Sequence, residues 1–597
     1  MGGICGGYSN EQPFITFVTE MLFKLKHCGD NGVGIATLEN GIFHVKKAPY
    51  DVEKFLSNED LSDILGNVGI CHIRFATHGR PAFENTHPHF DCKKTIAVVM
   101  DGIVKDYEIH VKKLREQGHV FESRCDAEIL SHIAEELENK PLISIGKAIL
   151  STIQGYYSAA FLFKDGNILI VRNGPEVYIG KGKNGVFFAS EPDAIAKCVD
   201  EFFLVPNRSY LIVKKDELRA FDYNGKPIRV NFLKEVPMKS VPQGFPHFML
   251  KEIKEIPDAL SRAIIVHQRR YLEIIAQMIR NARSVYITGC GSSYFAGMIG
   301  AYMLTEMGGI APITISATEF RFYALKDIKP GDVIIAISQS GKTTDVIRTI
   351  NDAKLRGAVL IGIINELGSP LMYASNAYLP VGCGKENSIP ATKSFVCTLI
   401  TLGKIALALA CQRNISVEVD EKEMNKIPTL AKITIDHVES KCIAIAKELA
   451  KSNIAFVLSR GILFPLALEG ALKLKEAARI FAEGLSAGEL RHGPISLIDR
   501  GVPTIFILPT EEDAMQDTYV LMEEAASENA MVIAITHEHD KTAEKITPHV
   551  IKVPYTQSKW IQVILRVIPL QFLAYYAGTI RGVNPDKPKK LKKYVVL

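Results

Sequence analysis

From about residue 259 onward the chain alternates short apolar runs of strand length with longer helical stretches, a pattern that few folds accommodate. The first runs are 284–288, 313–315, 333–337 and 359–364. Long helical patterns at 395–411 and 427–450 follow, and the alternation then resumes with 454–458, 504–508, 531–536 and 549–553. Continuously apolar strands that alternate with helices belong to a parallel sheet covered on both faces, because a parallel connection needs a crossover about one helix long. Coming twice in succession, the pattern predicts two doubly wound α/β domains of similar plan, although no tight sequence repeat joins them.

The first part of the chain differs. Apolar or alternating runs at 69–73, 95–100, 159–163, 168–171 and 210–213 are punctuated by Gly, Asn and Asp, as in Lys164-Asp165-Gly166-Asn167. Helical patterns fit 14–27, 107–117, 126–137 and 144–154. This mixture predicts an α+β domain of layered sheets with covering helices over 1–240. A Pro/Gly-bearing stretch, Val241-Pro242-Gln243-Gly244-Phe245-Pro246, predicts a linker over 241–258. The two α/β domains then occupy 259–430 and 431–585, and 586–597 form a tail. At 597 residues the chain is too long for one core, which agrees with this division.

Hydrophobic content of 47% with 23% charged residues is that of an ordinary globular protein, and a net charge of +4 gives no reason to expect a nucleic-acid partner. Eleven cysteines show no CxxC pair and no paired Cys/His spacing, so neither a zinc site nor any cofactor is expected. Cys290, Cys397 and Cys411 sit in apolar surroundings, as small core residues do in a reducing compartment. The N-terminal stretch lacks the basic-then-apolar plan of a signal peptide, and Gly6 stands where a myristoylation motif has Ser or Thr. The apolar stretch 561–580 is interrupted by Arg566 and Gln571 and reads as a buried helix. The expectation is a soluble cytoplasmic protein with no membrane partner.

Three stretches suggest chemistry. Residues 468–476, Leu-Glu-Gly-Ala-Leu-Lys-Leu-Lys-Glu, read as helix, and Glu469, Lys473 and Glu476 at i, i+4 and i+7 share one face amid apolar neighbours. A carboxylate and an ammonium held half-buried suit proton transfer, whereas on an exposed helix they would be only an ion-pair ladder. Strand 284–288 runs into Gly289-Cys290-Gly291-Ser292-Ser293, and strand 333–337 into Ser338-Gln339-Ser340-Gly341-Lys342-Thr343. Each turn then enters a helix, whose free N–H groups and positive dipole suit an anion; as hydroxyl residues they would also serve as plain helix caps. Gly341-Lys342-Thr343 is not a Walker loop, which needs glycine where Ala336 stands.

Together with Ala391-Thr392-Lys393, Glu489-Leu490-Arg491-His492-Gly493-Pro494 and the terminal Leu591-Lys592-Lys593, these stretches resemble the glutamine–fructose-6-phosphate aminotransferase family, over nearly the whole chain and in order. The resemblance implies an N-terminal Ntn-type glutaminase domain followed by two SIS (sugar isomerase) domains acting as a homodimer. It implies that Cys290, Gly291, Ser292, Ser293, Ser338, Gln339, Ser340, Thr343, Ile389 and Ala391 bind fructose 6-phosphate or a related hexose phosphate. It further implies that Glu476 moves the proton between C1 and C2 with Lys473 beside it. His492 would open the sugar ring from the neighbouring subunit, and Lys593 would form a Schiff base with the ketose. Ala391 and Lys342 depart from the family's serine and acidic residue at their positions.

The first domain departs further. Family members begin Met-Cys-Gly-Ile, the cysteine being both nucleophile and, through its amine, base; here Gly2 takes that place in Met1-Gly2-Gly3-Ile4-Cys5. Cys5, three residues on in a strand, faces the opposite side. Asp101-Gly102 replaces the family's Asn-Gly oxyanion pair, Cys28-Gly29-Asp30-Asn31 its Arg-Gly-Tyr-Asp segment, and Phe75 its gating tryptophan. Arg74, Thr77, His78, Gly79, His87 and Asp126 remain in place. The expectation is a folded glutaminase domain without glutaminase chemistry and a nitrogen supply from ammonia instead of glutamine. Glucosamine-6-phosphate deamination, sugar-phosphate isomerisation and non-catalytic sugar-phosphate sensing are the alternatives.

Overall fold

The structure, a computed structural model, describes residues 2–76, 78–215, 217–233, 245–415, 417, 421–591 and 593. Thr77 and Lys592 therefore lie outside the described residues, as do 241–244 of the expected linker. The chain forms two compact units, residues 1–244 and 245–597.

The first unit is built on two seven-stranded antiparallel sheets. In one, Gly2–Ser9 pairs with Val68–Arg74 on one side and Gly185–Ala189 on the other. In the other, Ile96–Val104 pairs along its length with Gly155–Phe163. Period-two alternation puts Ile4, Ile70, Val99, Leu162 and Leu211 between the sheets. Their neighbours Cys5 and Cys71 face outward against Val18, Met21 and Leu22 of helix Ile15–Leu25. Val98, Met100 and Phe161 face helices Glu128–Glu136 and Leu142–Thr152 on the far side. The result is a helix–sheet–sheet–helix sandwich, in which the central strands bury both faces.

The second unit contains two five-stranded parallel sheets. One runs Ile313–Ser316, Val285–Gly289, Val333–Ser338, Val359–Ile364, Ala377–Pro380, and the other Phe481–Ser486, Ile454–Ser459, Pro503–Ile507, Met531–His537, His549–Val553. Both have the strand order 2-1-3-4-5, so the doubling read from hydropathy is a doubling of topology. Ala377–Pro380 and Phe481–Ser486 were not among the expected strands. Each is an edge strand, and their Pro380, Glu483, Gly484 and exposed Phe481 lack the continuous apolar signal of central strands.

The expected linker is helical for much of its length. Helices Phe248–Lys254 and Ile256–Ile265 bury Met249, Ile253, Ile256 and Leu260 in the core of the second unit. The Pro/Gly signal stops at Pro246, and an amphipathic pattern begins directly after it. Helices Lys393–Gln412 and Lys559–Ile580 are long and apolar enough to cross a membrane, but 78% and 83% of their apolar windows are buried inside the protein. They are the central helices of this unit, as expected for 561–580.

Candidate active site

Helix Phe464–Lys473 packs beneath the second parallel sheet and carries Glu469 and Lys473, both fully buried. The regular helix expected through Glu476 ends early: Leu474–Ala478 is a π-helical turn, closed by Arg479 in the left-handed conformation at φ 54°. Widened turns of this kind occur often at functional sites. Here the turn keeps Glu476 on the side of Lys473, whose Nζ donates to Glu476 Oε2 at 2.5 Å and lies 3.5 Å from Glu469 Oε1. The Glu476 side chain is 19% exposed, so the triad runs from the core to an accessible carboxylate.

Burial pushes the Glu469 carboxyl up to about 7, against the pull of Lys473. For Lys473 burial acts downward, but Glu469 and Glu476 together hold the ammonium above its ordinary value. Glu469 Oε2 has no hydrogen-bond partner among the described residues. A permanently charged lysine between a proton-loving carboxyl and an accessible one is a competent acid–base unit.

The first hydroxyl-rich turn adjoins it, and the second follows the neighbouring strand of the same sheet. Gly291 caps helix Ser292–Glu306, and Ser292 Oγ donates to Glu469 Oε1 at 3.1 Å, tying the first turn to the triad. Burial raises the neighbouring Cys290 thiol to about 11, so it remains protonated. In the second turn Ser338 and Ser340 are buried, Gly341 N donates to Ser338 Oγ at 3.0 Å, and Ser338 and Thr343 hydroxyls lie 3.5 Å apart ahead of helix Thr344–Leu355. Gly341 has φ 61°, and a Cβ there would stand 2.0 Å from Ser369 Oγ, so the turn requires glycine. Lys342 Nζ reaches Glu366 at 2.9 Å, and Gln339 Nε2 reaches the same carboxylate at 3.4 Å.

Residues that sequence reasoning missed gather around Lys593. Its Nζ donates to Glu386 Oε2 at 2.9 Å and to the Ser388 carbonyl at 2.6 Å. Glu386 is buried and also takes N–H groups from Thr392 and Ser394; burial opposes its ionisation, but Lys593 and these donors hold the carboxyl low. Beside it Ser388 donates to Glu252, and Lys393 pairs with Glu255 at 2.7 Å. The charge of Glu386 is the smallest of the influences that raise Lys473, after Glu469 and Glu476. Glu386 stands just ahead of the Ile389-Pro390-Ala391-Thr392-Lys393 segment, which was the signal available. Ile389 and Ala391 are half-buried on that segment. His492 ends the short helix Ala487–His492 exposed, and no hydrogen bond joins it to the triad among the described residues.

The chain is similar to known proteins over its whole length. The SIS domain family model matches residues 278–408 and 448–581, and the glutamine amidotransferase domain model matches 74–197. The isomerizing glutamine–fructose-6-phosphate aminotransferase of Pyrobaculum aerophilum is 33% identical over 604 residues, covering 100% of this chain and 99% of its own. The enzyme of that name from Pyrococcus horikoshii is 32% identical, with 100% of each chain covered. The chain belongs to the glutamine–fructose-6-phosphate aminotransferase family. Among solved structures, the C-terminal domain of glucosamine-fructose-6-phosphate aminotransferase from Francisella tularensis superposes with a TM-score of 0.54 at 27% identity. That match covers 58% of this chain and 100% of the other.

The residues that the resemblance assigns to a glutaminase site are engaged in structural bonds. Gly2 N donates to Asp101 Oδ1 at 2.9 Å, so the residue in the oxyanion position grips the residue in the nucleophile position. A Cβ on Gly2 would lie 1.9 Å from the Ile73 carbonyl oxygen. Gly102, paired with Tyr157, continues the strand. Arg74 is buried and spends its guanidinium on the carbonyls of His78, Gly79 and Arg80. Asp126 accepts from Val104 N at 2.8 Å with His78 Nδ1 3.6 Å away. His87 accepts from Met100 N at 3.2 Å and stacks on His72 with centroids 3.9 Å apart. Burial keeps both imidazoles neutral by pushing them well below the usual histidine range. Cys5 is fully buried on the opposite sheet face from Ile4, beside Cys71, and Phe75 is also core.

Proposed function

We propose that this protein is an isomerizing aminotransferase that converts fructose 6-phosphate to glucosamine 6-phosphate and draws its nitrogen from ammonia in place of glutamine. The observation that carries the sugar-phosphate reading is the hydrogen bond from Ser292 to Glu469, which sets an anion cradle against a buried acid–base triad within one unit. In this reading Ser293, Ser338, Gln339, Ser340 and Thr343 hold the phosphate end, with Cys290, Gly291, Ile389 and Ala391 lining the sugar. The Lys593 amine, once deprotonated, condenses with the ketose carbonyl at C2 with loss of water, and ammonia then displaces the lysine at C2. Glu476 carries the proton between C1 and C2, and Lys473 stabilises the charge on Glu476. A non-catalytic sensor would have no use for the triad or for the Lys593 amine.

The donor reading rests on Gly2 and Asp101. Without a thiol at Gly2, and with a carboxylate where a donor should stabilise an oxyanion, glutamine hydrolysis loses its two main supports. The exposed His492 supports a homodimer in which each site takes this imidazole from the partner. No disulfide joins the cysteines among the described residues, which fits a reducing compartment such as the cytoplasm. The deciding experiment is product analysis with fructose 6-phosphate, supplying ammonium or glutamine in parallel. Glucosamine 6-phosphate from ammonium alone supports the reading. Equal product from glutamine would overturn the donor assignment, and no product from either, with sugar phosphate still bound, would favour a sensor. For the dimer, Glu476→Gln and His492→Ala chains are mixed after subunit exchange, and failure to regain any activity would reject the shared site.

A further inference from the structure

The first unit brings together four side chains that sequence spacing kept apart. Cys92 lies on the turn between strands His89–Phe90 and Ile96–Val104, His119 follows helix Tyr107–Glu116, and His132 and Glu135 sit one turn apart on helix Glu128–Glu136. Cys92 Sγ is 3.6 Å from His119 Nδ1 and 3.6 Å from His132 Nδ1. Glu135 Oε2 is 3.1 Å from His119 Nδ1 and 3.4 Å from His132 Nδ1. One donor atom from each of the four residues lies within 4.8 Å of the others. Tetrahedral zinc, with bonds of about 2.0 Å to nitrogen or oxygen and 2.3 Å to sulfur, requires donor–donor edges of about 3.3–3.6 Å. The four edges between the thiol or carboxylate and the two imidazoles, at 3.1–3.6 Å, lie near that requirement.

We propose that Cys92, His119, His132 and Glu135 form a structural zinc site. The surroundings are those of a metal centre. His132 presents Nε2 to Glu128 Oε1 at 3.7 Å and His119 presents Nε2 to Glu136 Oε1 at 3.6 Å. Each imidazole thus has a carboxylate within 4 Å of Nε2, a charge that would favour the Nε2–H tautomer with Nδ1 facing the centre. Glu128 is itself held by Glu122 N and Ser123 N. Val120 N points at Cys92 Sγ at 3.4 Å, the N–H contact a thiolate accepts, and Cys92 N donates to Glu135 Oε2 at 3.1 Å. One thiolate and one carboxylate neutralise a divalent ion, and the thiol proton is released on binding. Four protein ligands fill the tetrahedron and leave no open position, so the ion clamps the 91–95 turn to helix Glu128–Glu136 and has no part in catalysis. The absence of CxxC spacing gave the opposite expectation, because these ligands come from three separate elements.

Two other groups in this unit, His87 with His89 and Cys125, and His27 with Cys28 and Glu191, are the competing locations. The test uses full-length, untagged protein. Zinc is counted by elemental analysis after growth in zinc-supplemented medium, and the stripped protein is then titrated with Co2+. About one zinc per chain and a thiolate-to-cobalt absorption band of tetrahedral type are expected. Cys92→Ser should lose the band and weaken Co2+ binding by at least about tenfold, and Glu128→Gln should weaken it by about 10–100-fold with the band retained. Cys125→Ala should change neither. Because Cys92 is exposed, its substitution leaves the core intact. Absence of both zinc and the cobalt band in wild type overturns the proposal, as does a band that survives Cys92→Ser or disappears in Cys125→Ala.

Discussion

The two units both bury ionisable groups, but they use them in opposite ways. In the second unit, Glu469 keeps one carboxylate oxygen without a partner among the described residues, and Glu476 reaches the surface. In the first, Asp101 is bonded to Gly2 N, Arg74 to three carbonyls and Asp126 to Val104 N. A buried charge is costly unless it is paired, so it persists wherever the fold pairs it. Arg74, His78 and Asp126 therefore have structural reasons to be present even if no glutamine is hydrolysed. Reactive groups are distinguished by the bonds they have left over.

The largest effect that sharpens this contrast is expected at Glu476. Glu476→Gln should lower turnover by about 10²–10⁴-fold, the usual worth of a positioned general base, with fructose 6-phosphate binding nearly unchanged. Lys473 still has Glu469 beside it, so the fold should hold. Solvent-deuterium exchange at C1 and C2, followed by NMR, measures the step directly; exchange at the wild-type rate would show that Glu476 is not the base.

In the first unit, restoring the family's residues should fail. A side chain at position 2 would collide with the Ile73 carbonyl at 1.9 Å, a backbone atom fixed by strand pairing. Gly2→Cys with Asp101→Asn is therefore expected to release glutamate from glutamine no faster than wild type and to melt several degrees lower, a loss of a few kcal/mol. Glutamate release that rises tenfold or more would show that the pocket is poised and lacks only its nucleophile.

Arg74→Met tests the structural side. It removes three hydrogen bonds from a buried cation and should destabilise the first unit by about 2–4 kcal/mol without changing ammonium-dependent product formation. Denaturant unfolding and the ammonium assay on one preparation check both halves. A drop in ammonium-dependent rate with unchanged stability would reverse the assignment.

The contrast also marks what sequence could reveal. The doubled parallel sheets were legible because central strands are apolar on both faces, and their edges were missed because Phe481–Ser486 carries Glu483 and Gly484. Glu469, Lys473 and Glu476 were legible because helical spacing groups them, although the π turn at Leu474–Ala478 was not, since no residue type specifies it. Glu386, Glu252 and the Cys92 group could not be read. Their partners come from distant segments, and only tertiary packing brings Lys593 to Glu386 or His119 to Cys92.

The smallest expected effect concerns pH. Burial raises the Glu469 carboxyl to about 7, whereas an unfolded chain would have it near the ordinary 4.5. A carboxyl raised in the folded state favours folding while it is protonated. Its contribution is therefore fully present below about pH 4.5 and is lost as pH rises through about 7. The rise from 4.5 to about 7 already includes the pull of Lys473, so the loss for wild type should be about 3 kcal/mol across that window. Glu469→Gln keeps the shape and the bond from Ser292 but cannot ionise, so its stability should change less between pH 5 and pH 8. Urea midpoints of the second unit at both pH values, for wild type and variant, provide the comparison. Other titrating groups act on both proteins alike and cancel in the difference. An equal change in the two would mean that Glu469 does not titrate in this range, and that the triad works with a carboxylate already charged.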